Sequence, residues 1–220
     1  MIRDAARGAG SGPVREVLEL GSGGGNNASH MKHAFAMTLV EPADGMQHIS
    51  RALNPECEHI PGAMRTVRLG RAFDAIFVHE AEMYMTTDDD LRAALTTVAI
   101  HLAPEGVVLV APDATTETFR EATEHGSGDE AGGGRVTSSG RCRPISLAGH
   151  LLRGALRVLA VRARRDGARR PRRTPRGAIR ARDVAGLFGE VGLTASLAPR
   201  TIEDVEYDSF VARRAVDDTL

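Results

Sequence analysis

Short apolar runs alternate with helical patterns along the first half of the chain. The runs lie at 17–20, 37–40, 59–60, 73–79 and 107–111. Between them, apolar side chains recur at helical spacing over 27–35, 44–53 and 88–102. The run 107–111 (VVLVA) is apolar throughout, which is typical of a strand covered on both faces. Strands alternating with helices predict βαβ units and a parallel sheet with helices on both faces.

Two of the predicted helices have an apolar face. In the helix predicted over 44–53, one face carries Met46, Ile49 and Leu53. In the helix predicted over 88–102, one face is rich in leucine and includes Leu91 and Leu95. The spacing in both is that of an amphipathic helix. For the first helix, over 27–35, the sequence predicts an N-cap at Asn26 or Asn27, because asparagine is favoured there.

The second half of the chain breaks this alternation. No aromatic residue occurs from 121 to 187, and the stretch 125–135 (HGSGDEAGGGR) predicts a flexible loop. The spacing over 145–161 predicts an amphipathic helix, whereas the Arg, Ala, Gly and Pro of 162–182 predict disorder. Order returns with a helix over 184–191 and strands at 193–197 and 207–212.

These patterns divide the chain into three segments. Residues 1–119 are predicted to form an α/β core, 120–182 a Gly/Arg-rich insert that is largely disordered, and 183–220 the part of the chain that completes the core domain. The block 151–182 carries 12 arginines against Asp166, although the whole chain has a net charge of −1. The composition of the insert is also what a shifted reading frame in GC-rich DNA would give.

Composition excludes several classes of protein. No stretch of the 220 residues approaches the ~20 apolar residues of a membrane helix. Two cysteines without C-x-x-C spacing favour neither a disulfide framework nor a zinc site, and the simplest compartment is the cytoplasm. His30 and His33 lack a third ligand nearby in sequence, so we predict no metal site.

The string VLELGSGGG at 17–25 carries the most chemical information. A glycine turn after a strand lets a ligand approach the backbone, and a helix beginning beyond it favours an anionic group. Glu41 ends the next predicted strand, where its carboxylate can accept hydrogen bonds from both hydroxyls of a ribose. Together these features predict a ribonucleoside cofactor at the carboxyl ends of the strands.

The residues around the glycines separate two classes of cofactor. A dinucleotide site favours G-x-G-x-x-G, but position 26 is asparagine where the third glycine would stand. Glu19 lies two residues before Gly21, where a carboxylate repels a pyrophosphate and attracts the ammonium of an amino acid. S-adenosylmethionine has both a ribose and an amino-acid group, and a nicotinamide dehydrogenase is the weakest alternative.

The ordered motifs resemble those of the class I S-adenosylmethionine-dependent methyltransferases. ELGSGGG (19–25) is similar to the first motif of that family, and the following landmarks are LVEPADGM (39–46), IPGAMR (60–65), FDAIFVHEAEMYM (73–85) and HLAPEGVVLVAPD (101–113). LFGEVGL (187–193) and YDSFVARR (207–214) resemble the last helix and final strand, so the likeness covers 14–118 and 183–214. It implies a Rossmann-like α/β fold with a mostly parallel seven-stranded sheet, whose last strand is antiparallel.

The resemblance also implies roles for individual residues. The expected cofactor-binding residues are Glu19, Gly21, Ser22, Gly23, Glu41, Pro42, Met46, Ala63, Met64, His79 and Glu80. His79 is also the candidate general base, since its ordinary pKa suits proton removal, and Tyr84 is a candidate substrate contact. Ala63 departs from the pattern, because relatives often have an acid there that accepts a hydrogen bond from the adenine amino group. The segment before the glycine motif is also too short for the usual N-terminal substrate lid.

The sequence therefore predicts transfer of a methyl group from S-adenosylmethionine to a nitrogen or oxygen nucleophile of a small molecule. One alternative is a non-catalytic cofactor- or partner-binding descendant of such an enzyme. Another is a nucleic-acid methyltransferase using the arginine block, but aromatic stacking residues and the N-P-P-Y-type tetrad are lacking. The acceptor and the oligomeric state do not follow from the sequence.

Overall fold

The computed structural model of the chain describes residues 1–85, 87–112, 181–202 and 205–215. Between 122 and 179 it describes the backbone of five further strands. The helices are α1 (Ile2–Gly8), α2 (Asn26–Met31), α3 (Asp44–Leu53), α4 (Asp88–His101) and α5 (Ala181–Glu190), with a short 3-10 turn at Glu82–Tyr84.

A seven-stranded sheet forms the centre of the fold. Its strands are β1 (Glu16–Leu20), β2 (Ala36–Glu41), β3 (Glu58–Pro61), β4 (Phe73–His79), β5 (Leu102–Ala111), β11 (Leu193–Leu197) and β14 (Phe210–Arg214). The spatial order is β11-β14-β5-β4-β1-β2-β3. Neighbours among β1 to β5 are parallel, whereas β14 is antiparallel to both β5 and β11. The Rossmann-like α/β fold and the antiparallel last strand are confirmed.

Apolar side chains cover both faces of this sheet. On one face, Leu18, Ile76 and Phe188 belong to a core that α4 and α5 complete. On the other face, Val17, Phe77 and Leu109 belong to a second core with residues of α1 and α2. The continuous apolar runs of the sequence therefore reflect strands that are buried on both sides.

Helices α3 and α4 orient their apolar residues in opposite ways. In α4, the predicted face is buried and includes Leu91, Leu95 and Val98. In α3, Gln47 and Ser50 are buried, whereas Met46, Ile49 and Leu53 are exposed. The apolar side chains of α3 therefore lie away from the core, because its inward side contacts polar backbone groups.

Three local expectations also differ from the structure. Helix α1 was not predicted, although its Ile2 and Ala6 are buried. The N-cap of α2 is Gly25, in the left-handed region at φ +79°, and neither asparagine caps the helix. The predicted strand 207–212 is divided between β13 (Val205–Tyr207), which pairs with β12 (Arg200–Ile202), and β14.

A second sheet lies within the predicted insert. Its strands are β6 (Ala122–Asp129), β7 (Arg135–Cys142), β8 (Pro144–Ser146), β9 (Leu151–Val158) and β10 (Arg173–Ile179). Strand β9 pairs antiparallel with β7, β8 and β10. The helix predicted over 145–161 is therefore wrong. In LLRGALRV (151–158) every second position, from 152 to 158, is apolar or glycine and both arginines stand on the alternate positions, so the pattern fits a strand as well. The loop predicted over 125–135 is wrong at both ends, which lie in β6 and β7, and β10 lies within the stretch predicted to be disordered. The predictions for 130–134, 147–150 and 159–172 lie outside the described residues, and the three-segment division stays a prediction.

Within the described ranges, no helix is long and apolar enough to cross a bilayer. No group of three or more His, Cys, Asp or Glu side chains in the same ranges is arranged to hold a metal ion.

Candidate functional site

A cleft of about 700 Å³ lies at the carboxyl ends of β1, β2 and β4. Its lining brings together nearly all the residues that the sequence assigned to the cofactor: Gly21, Ser22, Gly23, Glu41, Pro42, Met46, Ala63, Met64, His79 and Glu80. Tyr84, the predicted substrate contact, also lines it. Glu19 does not, because its side chain is buried beneath the cleft with 1% exposure.

The glycine loop after β1 is held close to the turn after β4. Gly21 has φ +75°, and a Cβ at this position would lie 2.3 Å from the Cβ of Ala81 and 3.0 Å from the Met64 methyl carbon. The N–H groups of Gly21 and Ser22 both donate to the Val40 carbonyl, at 2.8 and 3.1 Å. Glycine is therefore required at position 21 by backbone conformation and by space.

Polar side chains of α3 and the residue after it hold the far end of the loop. The Asn54 amide donates to the Gly25 carbonyl at 2.9 Å. A Cβ on Gly25 would lie 2.3 Å from the Ser50 hydroxyl oxygen and 2.4 Å from the Asn54 amide nitrogen. The Gln47 amide donates to the Glu41 carbonyl at 2.6 Å. The helix thus presents polar atoms where the loop leaves backbone groups to be satisfied.

Glu41 joins the two loops that form the floor of the cleft. One carboxylate oxygen accepts from the Gly23 N–H at 3.0 Å, and the other accepts from the Ala43 N–H at 2.9 Å. The side chain is 9% exposed and lines the cleft. Since each carboxylate oxygen has two lone pairs, Glu41 keeps acceptor capacity for ligand hydroxyls.

Glu19 lies under the loop with one oxygen paired and one without a partner. Its Oε1 accepts from the Asn27 amide at 3.0 Å, and its buried Oε2 has no hydrogen-bond partner among the described residues. Burial raises the pKa of Glu19 to about 7, against a smaller lowering by the Asn27 hydrogen bond. Asn27 itself lines the cleft, so it connects the buried carboxylate to the ligand space.

Two further features of the loop leave room and donors for a ligand. The Ser22 hydroxyl is buried without a hydrogen-bond partner among the described residues, and Ser22 lines the cleft. A Cβ on Gly23 would meet nothing within 4 Å, so open space adjoins this backbone. The Ser22 hydroxyl fits the carboxylate of S-adenosylmethionine, the buried Glu19 fits its ammonium, and Glu41 fits its ribose. These residues would hold the cofactor. Helix α2 has six residues and is shorter than the sequence predicted.

The opposite rim of the cleft comes from the segment after β4. Glu80 has φ +55°, an uncommon backbone conformation for a residue with a side chain, and its N–H donates to the Ala111 carbonyl at 3.1 Å. The His79 Nδ1 atom lies 3.6 Å from the Glu80 Oε1 atom, and the Tyr84 side chain is 46% exposed. A basic, an acidic and a phenolic group therefore face the open side of the cleft.

Sequence reasoning missed three polar residues of this cleft, Asn26, Asn27 and Arg65. Asn27 was considered only as a helix cap, but an amide eight residues after a buried acid was a signal for their pairing. Arg65 also lines the cleft, and its guanidinium pairs with Asp90 at 2.5 Å. That pairing joins the loop after β3 to the first turn of α4.

Comparisons with known proteins agree with this architecture. Residues 17–106 match a family model described as a methyltransferase domain. The matched segment runs from β1 into β5 and contains the glycine loop, Glu41, Ala63 and His79.

Curated relatives act on amino sugars according to their names. The chain is 34% identical over 107 residues to dTDP-3-amino-3,4,6-trideoxy-alpha-D-glucopyranose N,N-dimethyltransferase of Streptomyces venezuelae, covering 48% of this chain and 45% of that protein. It is 32% identical over 123 residues to dTDP-3-amino-3,6-dideoxy-alpha-D-glucopyranose N,N-dimethyltransferase of Streptomyces fradiae, covering 55% and 48%. These alignments thus span about half the length of the curated relatives.

Solved structures share the fold over nearly the whole chain. Streptomyces venezuelae DesVI has a TM-score of 0.75 at 22% identity, covering 96% of this chain and 92% of that one. The S-adenosylmethionine-bound amino pentose methyltransferase CalS10 of Micromonospora echinaspora has a TM-score of 0.73 at 22% identity, covering 97% and 91%. The chain therefore has the fold of these solved methyltransferases, and its residues 17–106, with the glycine loop, match a methyltransferase domain.

Proposed function

We propose that the chain transfers a methyl group from S-adenosylmethionine to a nitrogen or oxygen nucleophile of a small molecule. One observation carries the proposal: Ser22, the open space at Gly23 and Glu41 converge in the same cleft as His79 and Tyr84. The first group suits the cofactor, and the second group faces the space left for an acceptor. The match over 17–106 supports the same assignment.

The residues of the cofactor half divide the ligand between them. Ser22 and the loop backbone bind the amino-acid carboxylate, whereas Asn27 and Glu19 bind the ammonium directly or through water. Glu41 accepts hydrogen bonds from the ribose hydroxyls, with Pro42 and Met46 against the adenine and Ala63 and Met64 at its edge. Because an ammonium favours the charged form of Glu19, binding should release a proton near neutral pH.

Among nitrogen and oxygen nucleophiles, we favour a small amine as the acceptor. The named relatives are N,N-dimethyltransferases of amino sugars, and their similarity to this chain covers the cofactor half. The acidic and basic groups of Glu80 and His79 also suit an acceptor nitrogen, which is protonated in solution and must lose a proton to react.

The cofactor supplies an electrophilic methyl carbon on a positively charged sulfur. Glu80 orients the acceptor nitrogen, and His79 takes up the proton that this nitrogen loses. Tyr84 contacts the body of the acceptor from the open side. Much of the rate comes from holding the two reactants in line, since the methyl group is already activated.

Calorimetric titration tests the cofactor site first. We expect S-adenosylmethionine and S-adenosylhomocysteine to bind at micromolar concentration and Glu41→Ala to weaken binding at least tenfold. Glu105→Gln is the matched control, because Glu105 is exposed and does not line the cleft. Absence of binding by folded wild-type protein would overturn the proposal.

Ala63 allows a test in the opposite direction. Ala63→Asp would restore an acceptor for the adenine amino group, worth about 1 kcal/mol or roughly a five- to tenfold gain in affinity. S-adenosylhomocysteine should gain the same factor, whereas methylthioribose, which lacks adenine, should gain nothing. Equal or weaker binding would show that position 63 does not face the adenine.

Turnover separates the proposal from its main rival. A panel of amino sugars and other small amines, assayed for S-adenosylhomocysteine release, should yield an acceptor whose turnover His79→Ala reduces. Tight cofactor binding without turnover on any acceptor would favour a non-catalytic descendant. Salt-sensitive RNA or DNA binding that requires 160–180 would favour a nucleic-acid methyltransferase.

We also propose a cytoplasmic location, which the low cysteine content supports: Cys57 is a free thiol, and Cys142 is the other cysteine. Cell fractionation tests this location, and recovery of the protein outside the cytoplasmic fraction would contradict it.

A further inference from the structure

A second cavity, of about 610 Å³, lies on the face of the sheet that α1 covers. It shares no lining residue with the cofactor cleft. Its roof is α1, including Ala5 and Gly8, and its floor is the β5-β14-β11 edge of the sheet. This volume is within the range of small-molecule sites, about 300–1,000 Å³.

The floor of this cavity is an apolar row with hydroxyl groups beside it. Strand register places Leu109, Val211 and Ser196 next to one another across β5, β14 and β11. Along β14, alternate residues share a face, so Ser209 and Arg213 lie on the same side as Val211. From Ser209 to Arg213 the floor is about 13 Å long, at roughly 3.3 Å per residue.

An arginine stands at each end of the cavity. The Arg200 guanidinium reaches Met1 at the start of α1, with 3.4 Å between its Nη1 and the Met1 Sδ atom. The Arg213 guanidinium reaches the end of α1, with 3.4 Å between its Nη1 and the Ala9 carbonyl oxygen. The carboxylate of Asp4 also lines the cavity but pairs with Arg7 at 2.7 Å. The cavity is thus cationic at both ends.

The Arg200 end and the Arg213 end of the cavity differ in whether their hydrogen-bond donors have partners. Among the described residues, the Arg200 Nε atom and the Ser209 hydroxyl are buried without a hydrogen-bond partner. Ser209 is only 3% exposed and lines the cavity. Arg213, in contrast, donates to the Ala9 carbonyl. Burying a donor without an acceptor is unfavourable, so this end is suited to an anionic acceptor.

We propose that this cavity is a second ligand site, which binds an unbranched amphipathic carboxylate. The carboxylate accepts hydrogen bonds from Arg200 and Ser209, and the apolar body lies along Leu109 and Val211 under α1. The site is separate from the cofactor cleft, and the proposal does not depend on the methyl-transfer activity.

Calorimetry with sodium decanoate tests the site. We expect one decanoate per chain, while decyltrimethylammonium, which has the same tail and the opposite charge, does not bind. Arg200→Met should weaken decanoate binding about tenfold or more, and Ser209→Ala about fivefold, as expected for charge-assisted hydrogen bonds. Arg15→Met, which removes an exposed arginine away from the cavity, is the matched control and should bind normally.

A space-filling variant tests the apolar floor. Val211→Phe should abolish decanoate binding, and its S-adenosylhomocysteine titration should match the wild type, which shows that the fold is intact. No decanoate binding at millimolar concentration, equal binding of the ammonium compound, or unchanged binding by Arg200→Met would overturn the proposal. If the wild type failed to bind S-adenosylhomocysteine, this result would contradict the proposed function but not the second ligand site.

Discussion

Helices α3 and α4 flank the same sheet, but they attach to it by opposite kinds of contact. Helix α4 buries Leu91, Leu95 and Val98 against the core. Helix α3 buries Gln47 and Ser50, whereas Ile49, at 54% exposure, points to solvent. Both helices have the sequence pattern of an amphipathic helix.

The difference follows from what each helix faces. Helix α4 covers strands whose backbone groups are already paired within the sheet, so its contact with them is apolar. Its polar contacts lie near its end, where Thr97 accepts from Arg68 and His101 accepts from the Leu69 N–H. Helix α3 faces the glycine loop and the end of β2, where the carbonyls of Gly25 and Glu41 need donors. Near a ligand loop, satisfying backbone groups outweighs burying side chains, since an orphaned buried carbonyl costs about 1–3 kcal/mol.

The largest loss of unfolding free energy is expected when the apolar contact of α4 with the core is weakened. Leu95→Ala should lower the free energy of unfolding by about 3–4 kcal/mol, because the lost side chain leaves a cavity among α4, α5 and the sheet. Chemical denaturation measures it. Ile100→Ala, on the exposed side of the same helix, should cost under about 1 kcal/mol. Similar losses for the two variants would show that α4 is not anchored by its apolar face.

The next largest effect on stability concerns Glu19, the buried acid beneath the glycine loop. The pKa of Glu19 in the folded protein, about 7, lies above its ordinary value of 4.5, so the folded state holds the proton more tightly. Stability from this group is present below pH 4.5 and is lost as the pH rises through 7, by about 3 kcal/mol in total.

Glu19→Gln should remove this dependence in the cofactor-free protein. Denaturation midpoints at pH 5 and pH 8 measure it, and Glu105→Gln, an exposed acid, should keep the wild-type slope. The raised pKa would be contradicted if the wild type lost no stability relative to Glu19→Gln between pH 5 and pH 8.

A smaller effect distinguishes polar from apolar anchoring of α3. Asn54→Leu keeps the size of the side chain and adds apolar surface, but it removes the donor to the Gly25 carbonyl. We expect a loss of about 2 kcal/mol in unfolding free energy and weaker cofactor binding. Thermal and chemical denaturation give the first quantity and calorimetry the second. A variant more stable than the wild type would mean that α3 is held by apolar contact after all.

The smallest effect concerns the outer face of α3. Ile49→Gln should change the unfolding free energy by less than about 0.5 kcal/mol, because this side chain is mostly exposed. Its solubility should rise, since an apolar group leaves the surface. A loss above 1 kcal/mol, measured by denaturation, would show that the outer face has a structural contact.

Much of the fold could be predicted from the sequence. The strands 17–20, 37–40 and 73–79 agree with β1, β2 and β4 within one residue at each end, because buried parallel strands leave uninterrupted apolar runs. The helix predicted over 44–53 agrees with α3 in its bounds. The site residues could also be predicted to lie together, since the carboxyl ends of parallel strands meet at one edge.

The remaining features depend on contacts that periodicity does not record. The inward side of α3 is decided by the carbonyls of Gly25 and Glu41, which no hydrophobic pattern shows. The burial of Glu19 away from the cleft depends on Asn27, which was interpreted as a cap. The strands of the second sheet carry glycine and arginine at positions that weaken any strand signal.

The contact between positions 21 and 81 limits how this protein can change its sequence. Since a Cβ on residue 21 would lie 2.3 Å from the Ala81 Cβ, position 21 cannot take a side chain while Ala81, which is itself buried, keeps its place. Ala81 lies inside the segment that would be diversified to accept new substrates. A mutant library over 79–85 that spares position 81 should therefore retain far more folded, cofactor-competent members than one that includes it.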